Sequence, residues 1–209
     1  SSDLIESLLY IANMATIPIH IQHARLTSPQ QPDWCVLDLD PKDAPFEHVI
    51  TIAKAIHSLC EDIGLPTYVK TTGSTGLHIL IPLQQQLSFD NSRVLGELLA
   101  RVIVQQLPEI ATTIRTPSRR KGRVYIDYLQ NGAGKLIASP YCLRPLPGAP
   151  VAMPLRWHEV NRKLRPDSYN IRNAMRRMAR LGEDPNIAVL NSEVDILSAL
   201  EALGDSFTR

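Results

Sequence analysis

The 209-residue chain, 44% hydrophobic and with a formal net charge of +1, is long enough to bury one sizeable core without staples. Its cysteines, Cys35, Cys60 and Cys142, are odd in number, far apart and unaccompanied by closely paired histidines, which argues against a disulfide framework or a structural zinc site and fits a reducing cytoplasm. No apolar run approaches the roughly 20 residues of a membrane span, and the first dozen residues lack the charges and cleavage pattern of a signal peptide, so a soluble, cytoplasmic protein with no membrane partner is expected.

Residues 1–14 carry Leu4, Ile5, Leu8, Leu9, Ile11 and Ala12 at helical spacing, which predicts an amphipathic helix packed on a sheet. Residues 17–22 alternate apolar and polar as a half-buried strand does, with His20 on the polar side. Residues 33–41, Asp-Trp-Cys-Val-Leu-Asp-Leu-Asp-Pro, form a short apolar run ending in two carboxylates one residue apart. On a strand, Val36, Asp38 and Asp40 share one face. Two like charges that close are unfavourable for folding alone, whereas a divalent cation such as Mg²⁺ or Mn²⁺ is well held by them.

Asp43 and Pro45 read as a helix start, an apolar stripe runs from Phe46 to Ile63, and Gly64 ends it. Residues 67–71 and 77–82 then read as a hairpin around the turn Thr72-Gly73-Ser74-Thr75-Gly76. Ser88 or Asp90 can cap a second helix reaching about Leu107, and residues 123–129 form a further strand with Asp127 facing away from Val124 and Ile126. The Asn131-Gly132 dipeptide suggests a turn that pairs 135–138 with the Asp127 strand. The proline-rich stretch 145–154 reads as a wrapping loop, and 170–181 and 192–203 as helices.

The order strand, helix, strand, strand, helix, strand is the split βαβ pattern of ferredoxin-like and RNA-recognition domains, so an α+β fold is expected, with an added N-terminal strand and C-terminal helices. A single domain is expected over 1–209, with an N-terminal helix and strand (1–32), a core (33–144) and a wrapping loop with basic helices (145–209). The usual strand order of this pattern, four, one, three, two, brings His78 and Asp127 to the strands flanking Asp38 and Asp40. Three carboxylates and a histidine then meet on one sheet face, enough charge for two metal ions. Arg115, Arg119, Arg120, Lys121 and Arg123 fall within nine residues without an acid, and eight Arg or Lys between Arg156 and Arg180 face only Glu159 and Asp167. Basic surface beside an acidic site suits a nucleic-acid enzyme.

Val36 to Pro41, Lys70 to His78, Val124 to Asn131, and Ser139 to Tyr141 through Arg144 to Pro150 together resemble, in order and spacing, the polymerase domains of bacterial ligase D and their stand-alone relatives in the archaeo-eukaryotic primase superfamily. The resemblance implies addition of nucleotides, ribonucleotides preferentially, to DNA primer ends or gaps during non-homologous end joining. Asp38, Asp40 and Asp127 match the catalytic, metal-binding acids for Mn²⁺ or Mg²⁺. His78, Thr72 and Ser74 match the nucleotide-phosphate turn, His20 a histidine near the nucleotide sugar, Arg120 and Arg144 basic residues near the triphosphate, and Gln130 a polar site residue. The implied partners are gapped or overhanging DNA ends, nucleoside triphosphates, a DNA ligase and a Ku-like end-binding protein, in a prokaryotic, nucleoid-associated setting. Thr75 stands where the family often has lysine. Only residues 1–37 precede Asp38, so the family's N-terminal module is expected to be missing.

Two other readings compete. A catalytically weak or inactive DNA-end-binding module would bind DNA in a salt-sensitive way without needing metal or nucleotide. A phosphatase would use Asp38 as nucleophile, since an Asp-x-Asp after an apolar strand also opens some phosphatase sites, although the glycine-rich turn and His78 fit that chemistry poorly.

Overall fold

A computed structural model describes residues 2–206. Its centre is a six-stranded sheet made of β2 (Trp34–Asp40), β3 (Tyr68–Thr71), β4 (Leu77–Pro82), β5 (Ala111–Thr112), β6 (Val124–Asp127) and β8 (Pro154–Leu155), in the order β5-β6-β2-β4-β3-β8. The inner four strands follow the expected order and pair antiparallel. Two edges extend beyond the expectation: β5 adds parallel to β6, and β8, at the end of the stretch read as a loop, adds to β3.

One face of the sheet is the core. Cys35, Leu37 and Leu39 of β2, Val69 of β3, Leu77, Ile79 and Ile81 of β4, and Val124 and Ile126 of β6 pack against α2 (Phe46–Asp62) and α3 (Phe89–Gln106). These are alternate residues of each strand, so the side chains between them are forced to the other face. That face is apolar at the start of β2, where Trp34 and Val36 meet Leu80, Ile137 and Val189, and polar at its end. Helix α2 buries Val49, Ile52, Ala53, Ile56, Leu59 and Cys60 at helical spacing, and it stops at Gly64, whose φ of +75° glycine adopts without Cβ strain. Its N-cap is Pro45 with no side-chain bond, so Asp43 is not the cap. Ser88 does cap α3, its hydroxyl accepting from the Asn91 amide at 3.2 Å.

Three expectations are corrected. The N-terminal helix α1 (Ser2–Asn13) forms, but Leu4, Ile5, Leu8, Leu9 and Tyr10 are each about half or more exposed, so it does not pack on a sheet. The strand around His20 shrinks to β1 (His20–Gln22), and β7 (Leu136–Ala138) pairs with it rather than with the Asp127 strand. The reason is Asn131. Beyond Asp127 the chain enters a 3₁₀ turn (Leu129–Asn131), and the buried Asn131 amide accepts from the Val36 N–H at 2.7 Å and donates to the Val36 carbonyl at 2.8 Å. A side chain thus closes the ladder at Val36 where a strand would have continued, and the Asn-Gly pair does not make a hairpin turn. The C-terminal helices are displaced from their expected bounds, to α4 (Ala174–Leu181) and α5 (Ile196–Ser206). Among the described residues no helix is long and apolar enough to cross a membrane.

Candidate active site

Register places four ionisable side chains in one row across the polar face. Lys70 of β3 lies opposite His78 of β4, His78 opposite Asp38 of β2, and Asp38 opposite Asp127 of β6. Asp40 lies two residues further along β2 on the same side, opposite Tyr125. The row runs from a cation through an imidazole to two carboxylates.

Asp38, with 23% of its side chain exposed, carries the strain of this arrangement. Burial, then the neighbouring charges of Asp127 and Asp40, push its carboxyl up to about 7, against the pull of Lys70 and Arg144 in the other direction. Lys70 is completely buried, and burial lowers its ammonium to about 7 although Asp38 works to raise it. Between them His78 is held neutral, well below its ordinary value, first by burial and then by the Lys70 charge. Its Nε2 lies 3.5 Å from Asp38 Oδ1, and its buried Nδ1 has no partner among the described residues.

The other two acids are gripped. Asp127 accepts from the Tyr125 hydroxyl at 3.0 Å, the Leu129 amide at 2.9 Å and the Gln130 side chain at 3.1 Å. Asp40 accepts from Arg120 at 2.8 Å. Arg120 is itself buried, donates to the carbonyls of Ile114 and Arg115, and lies over the Tyr125 ring at 4.4 Å. Its donors are therefore committed to the acid and the backbone around it.

On the opposite wall, the 72–76 turn is built around the Thr72 hydroxyl, which accepts from the Ser74 and Gly76 amides at 3.1 and 3.2 Å. Those two amides bond inward, and the Thr72 O–H remains as a donor. The glycines are needed for approach. A Cβ on Gly76 would sit 1.9 Å from the Leu39 carbonyl oxygen, and Gly73, at φ +69°, would meet Arg144 and the Ala152 amide within 2.8 Å. Arg144 fixes the turn from outside by donating to the Thr72 carbonyl at 2.9 Å. Asp38, Asp40, Thr72, Ser74, His78 and Arg144 thus surround one open cleft of about 180 Å³. Arg120 reaches it only through Asp40, whereas Asp127 and the Gln130 side chain that holds it stand beside Asp38 without lining the cleft. His20, exposed on β1, acts on the charge state of His78 but does not line the cleft.

The donor set suits a hard divalent cation: three carboxylates, two of them in direct register, with one carboxyl raised by burial and by the two acids beside it. Among the described residues no three His, Cys, Asp or Glu side chains are gathered into a ready-made metal cage, and Arg120 draws Asp40 aside. Two residues of the site escaped the reading of the sequence. Lys70 was visible as a lone cation in a strand otherwise made for burial, and Tyr125 as the residue sharing a strand face with Asp127.

A mixed sheet with helices on one face, and carboxylates facing a glycine-bearing phosphate-type turn on the other, defines the archaeo-eukaryotic primase fold. The solved polymerase domain of Mycobacterium tuberculosis ligase D in complex with DNA has this fold, superposing with a TM-score of 0.78 at 30% identity over 88% of this chain and 67% of that one. The family model for the LigD primase-polymerase domain matches residues 2–186, and the chain belongs to that family. The multifunctional end-joining protein LigD of Pseudomonas aeruginosa is 29% identical over 86% of this chain, and that of Mycolicibacterium smegmatis 34% over 74%. The bifunctional LigD of Bacillus subtilis is 31% identical over 84%. The chain spans only 22%, 21% and 29% of these three relatives.

Proposed function

We propose that this chain is a nucleotidyltransferase that adds nucleotides, ribonucleotides included, to the 3′ ends of broken or gapped DNA in end joining, working beside a DNA ligase and a Ku-like end-binding protein. The observation that carries the reading is the in-register row Lys70, His78, Asp38, Asp127, set against the phosphate-sized cleft under the 72–76 turn. Asp38, Asp40 and Asp127 would hold Mn²⁺ or Mg²⁺, which when bound would offset the negative charge on the reacting phosphoryl oxygens and ease loss of the proton from the primer hydroxyl.

The protein's own groups supply position and counter-charge, which is most of what phosphoryl transfer asks of an enzyme. Thr72 O–H, neutral His78 and Arg144 face the triphosphate from one wall of the cleft. Tyr125 and Gln130 fix the Asp127 carboxylate so that it needs no reorganisation when substrate arrives. Lys70 lies behind His78 and offsets the acids without being reachable by substrate.

Primer extension on an overhanging duplex with Mn²⁺ and ribonucleotides is the test. The wild type extends, and Asp38→Ala reduces extension to background. Equal extension by both sinks the assignment of Asp38. Salt-sensitive DNA binding with no extension by either returns the chain to the binding-module reading.

A further inference from the structure

A second cationic feature stands apart from the acid cleft. Helix α4 buries Ala174 against Val151 and Met153 and presents Arg176 and Arg180 to solvent one turn apart. Between α4 and Tyr169 lies a cleft of about 370 Å³ lined by Asn173, Arg176, Arg177, Arg180 and Leu181. Arg177 is neutralised inside it: both Nη atoms bond Glu159, at 2.6 and 2.7 Å, and the guanidinium lies over the Tyr169 ring at 4.4 Å. Arg176 and Arg180 form no ion pair among the described residues, so the cleft keeps their charge. Exposed Arg172 precedes them by one turn's spacing, and exposed Arg156 donates to the Leu181 carbonyl at 3.3 Å at the helix end. The nearby Asp184 is turned to the Tyr141 hydroxyl.

The geometry is that of a backbone grip. Residues four apart on a helix are about 6 Å apart along its axis, close to the spacing of successive phosphates on one strand. The helix is also fixed to the site. Val151 and Met153, on which it packs, hold Thr71 at the root of the phosphate turn through the Thr71 amide to Met153 carbonyl bond at 3.0 Å and the Thr71 hydroxyl to Val151 carbonyl bond at 3.0 Å.

We propose that the Arg176–Arg180 face of α4 is a second DNA contact, gripping the sugar-phosphate backbone of the duplex away from the reacting 3′ end. This rests on the proposed function only in taking DNA as the substrate. The contact is sequence-independent and positions the duplex, leaving the chemistry to the acid cleft.

Fluorescence anisotropy of a labelled duplex with a 3′ overhang, titrated from 50 to 200 mM salt, tests it. Arg176→Glu/Arg180→Glu is expected to weaken binding about tenfold at low salt and to reduce the slope of log affinity against log salt by about 2, roughly one per lost phosphate contact. Arg176→Gln/Arg180→Gln moves both in the same direction, and far-UV circular dichroism keeps either variant comparable with the wild type. At saturating DNA the extension rate is unchanged. As a control, Arg93→Glu/Arg101→Glu on α3 changes net charge equally at residues already paired with Asp90 and Glu97. An unchanged slope in the α4 variants, an equal loss in the control, or no duplex binding by the wild type overturns the proposal. A wild type that binds with the expected slope difference but extends no primer removes the proposed function and leaves the contact standing.

Discussion

The two walls of the acid cleft are built on different principles. The 72–76 turn is held by backbone: its amides close on the Thr72 hydroxyl, its root is bonded to Val151 and Met153, and at Gly76 it touches the Leu39 carbonyl with no room for a methyl group. The β2 wall, backed by β6, is held by charge. Its carboxylates repel one another, and it stays in place because Arg120, Tyr125, Gln130 and a buried lysine behind His78 balance it. A wall made of backbone bonds is set once at folding, whereas a wall made of opposed charges responds to pH and to any cation that arrives.

Breaking the backbone wall gives the largest effect. Gly76→Ala forces the turn away from β2, and a displacement of about 1 Å at the site is expected to lower extension about 100-fold or more. Thermal melts should show destabilisation as well, and a variant with wild-type kinetics would mean that the turn is not a wall of the site.

Relieving the charged wall does the reverse for stability. In the folded chain the Asp38 carboxyl is raised to about 7 from an ordinary 3.8, so between those values the folded state binds more protons than the unfolded one and stability falls as pH rises. The full cost is present above pH 7. Asp38→Asn should therefore stabilise the metal-free protein at pH 8 by roughly 2–4 kcal/mol and change little at pH 4, read by denaturant unfolding in chelator at both values.

The smallest effect sharpens the link between the walls. Lys70 is depressed to about 7 from 10.5, so the unfolded chain binds more protons between those values and stability drops as pH falls across them. Lys70→Met should remove that slope and remain folded, since an apolar side chain replaces a buried cation. Without the ammonium the Asp38 carboxyl rises further, moving the acid limb of the extension profile up by about one pH unit. An unshifted limb would show that Lys70 does not act on Asp38.

The acid triad and the central strand order could be read from the chain because both rest on local periodicity: alternation fixes which side of β2 carries Asp38 and Asp40, and the split βαβ order fixes which strands flank it. The same alternation marked His78 and Asp127. What failed were inferences from single signals. The Asn-Gly pair looked like a hairpin turn, yet Asn131 was needed to complete the β2 ladder at Val36, a long-range bond that no local pattern encodes. Asp43 looked like part of a helix start yet gives α2 no cap, and the periodic apolar face of α1 found no sheet.

The sequence by itself determined the core face, the four-strand order and the set of acids, because hydrophobic periodicity and strand alternation decide which side chains are buried together. Only the tertiary structure decided that Lys70 stands in register with His78 and Asp38, that Arg120 is spent on Asp40, and that β8 closes the edge beside the 72–76 turn. Those features depend on where distant segments meet, and charge and shape at such meetings are set by packing of the whole chain rather than by any stretch of it.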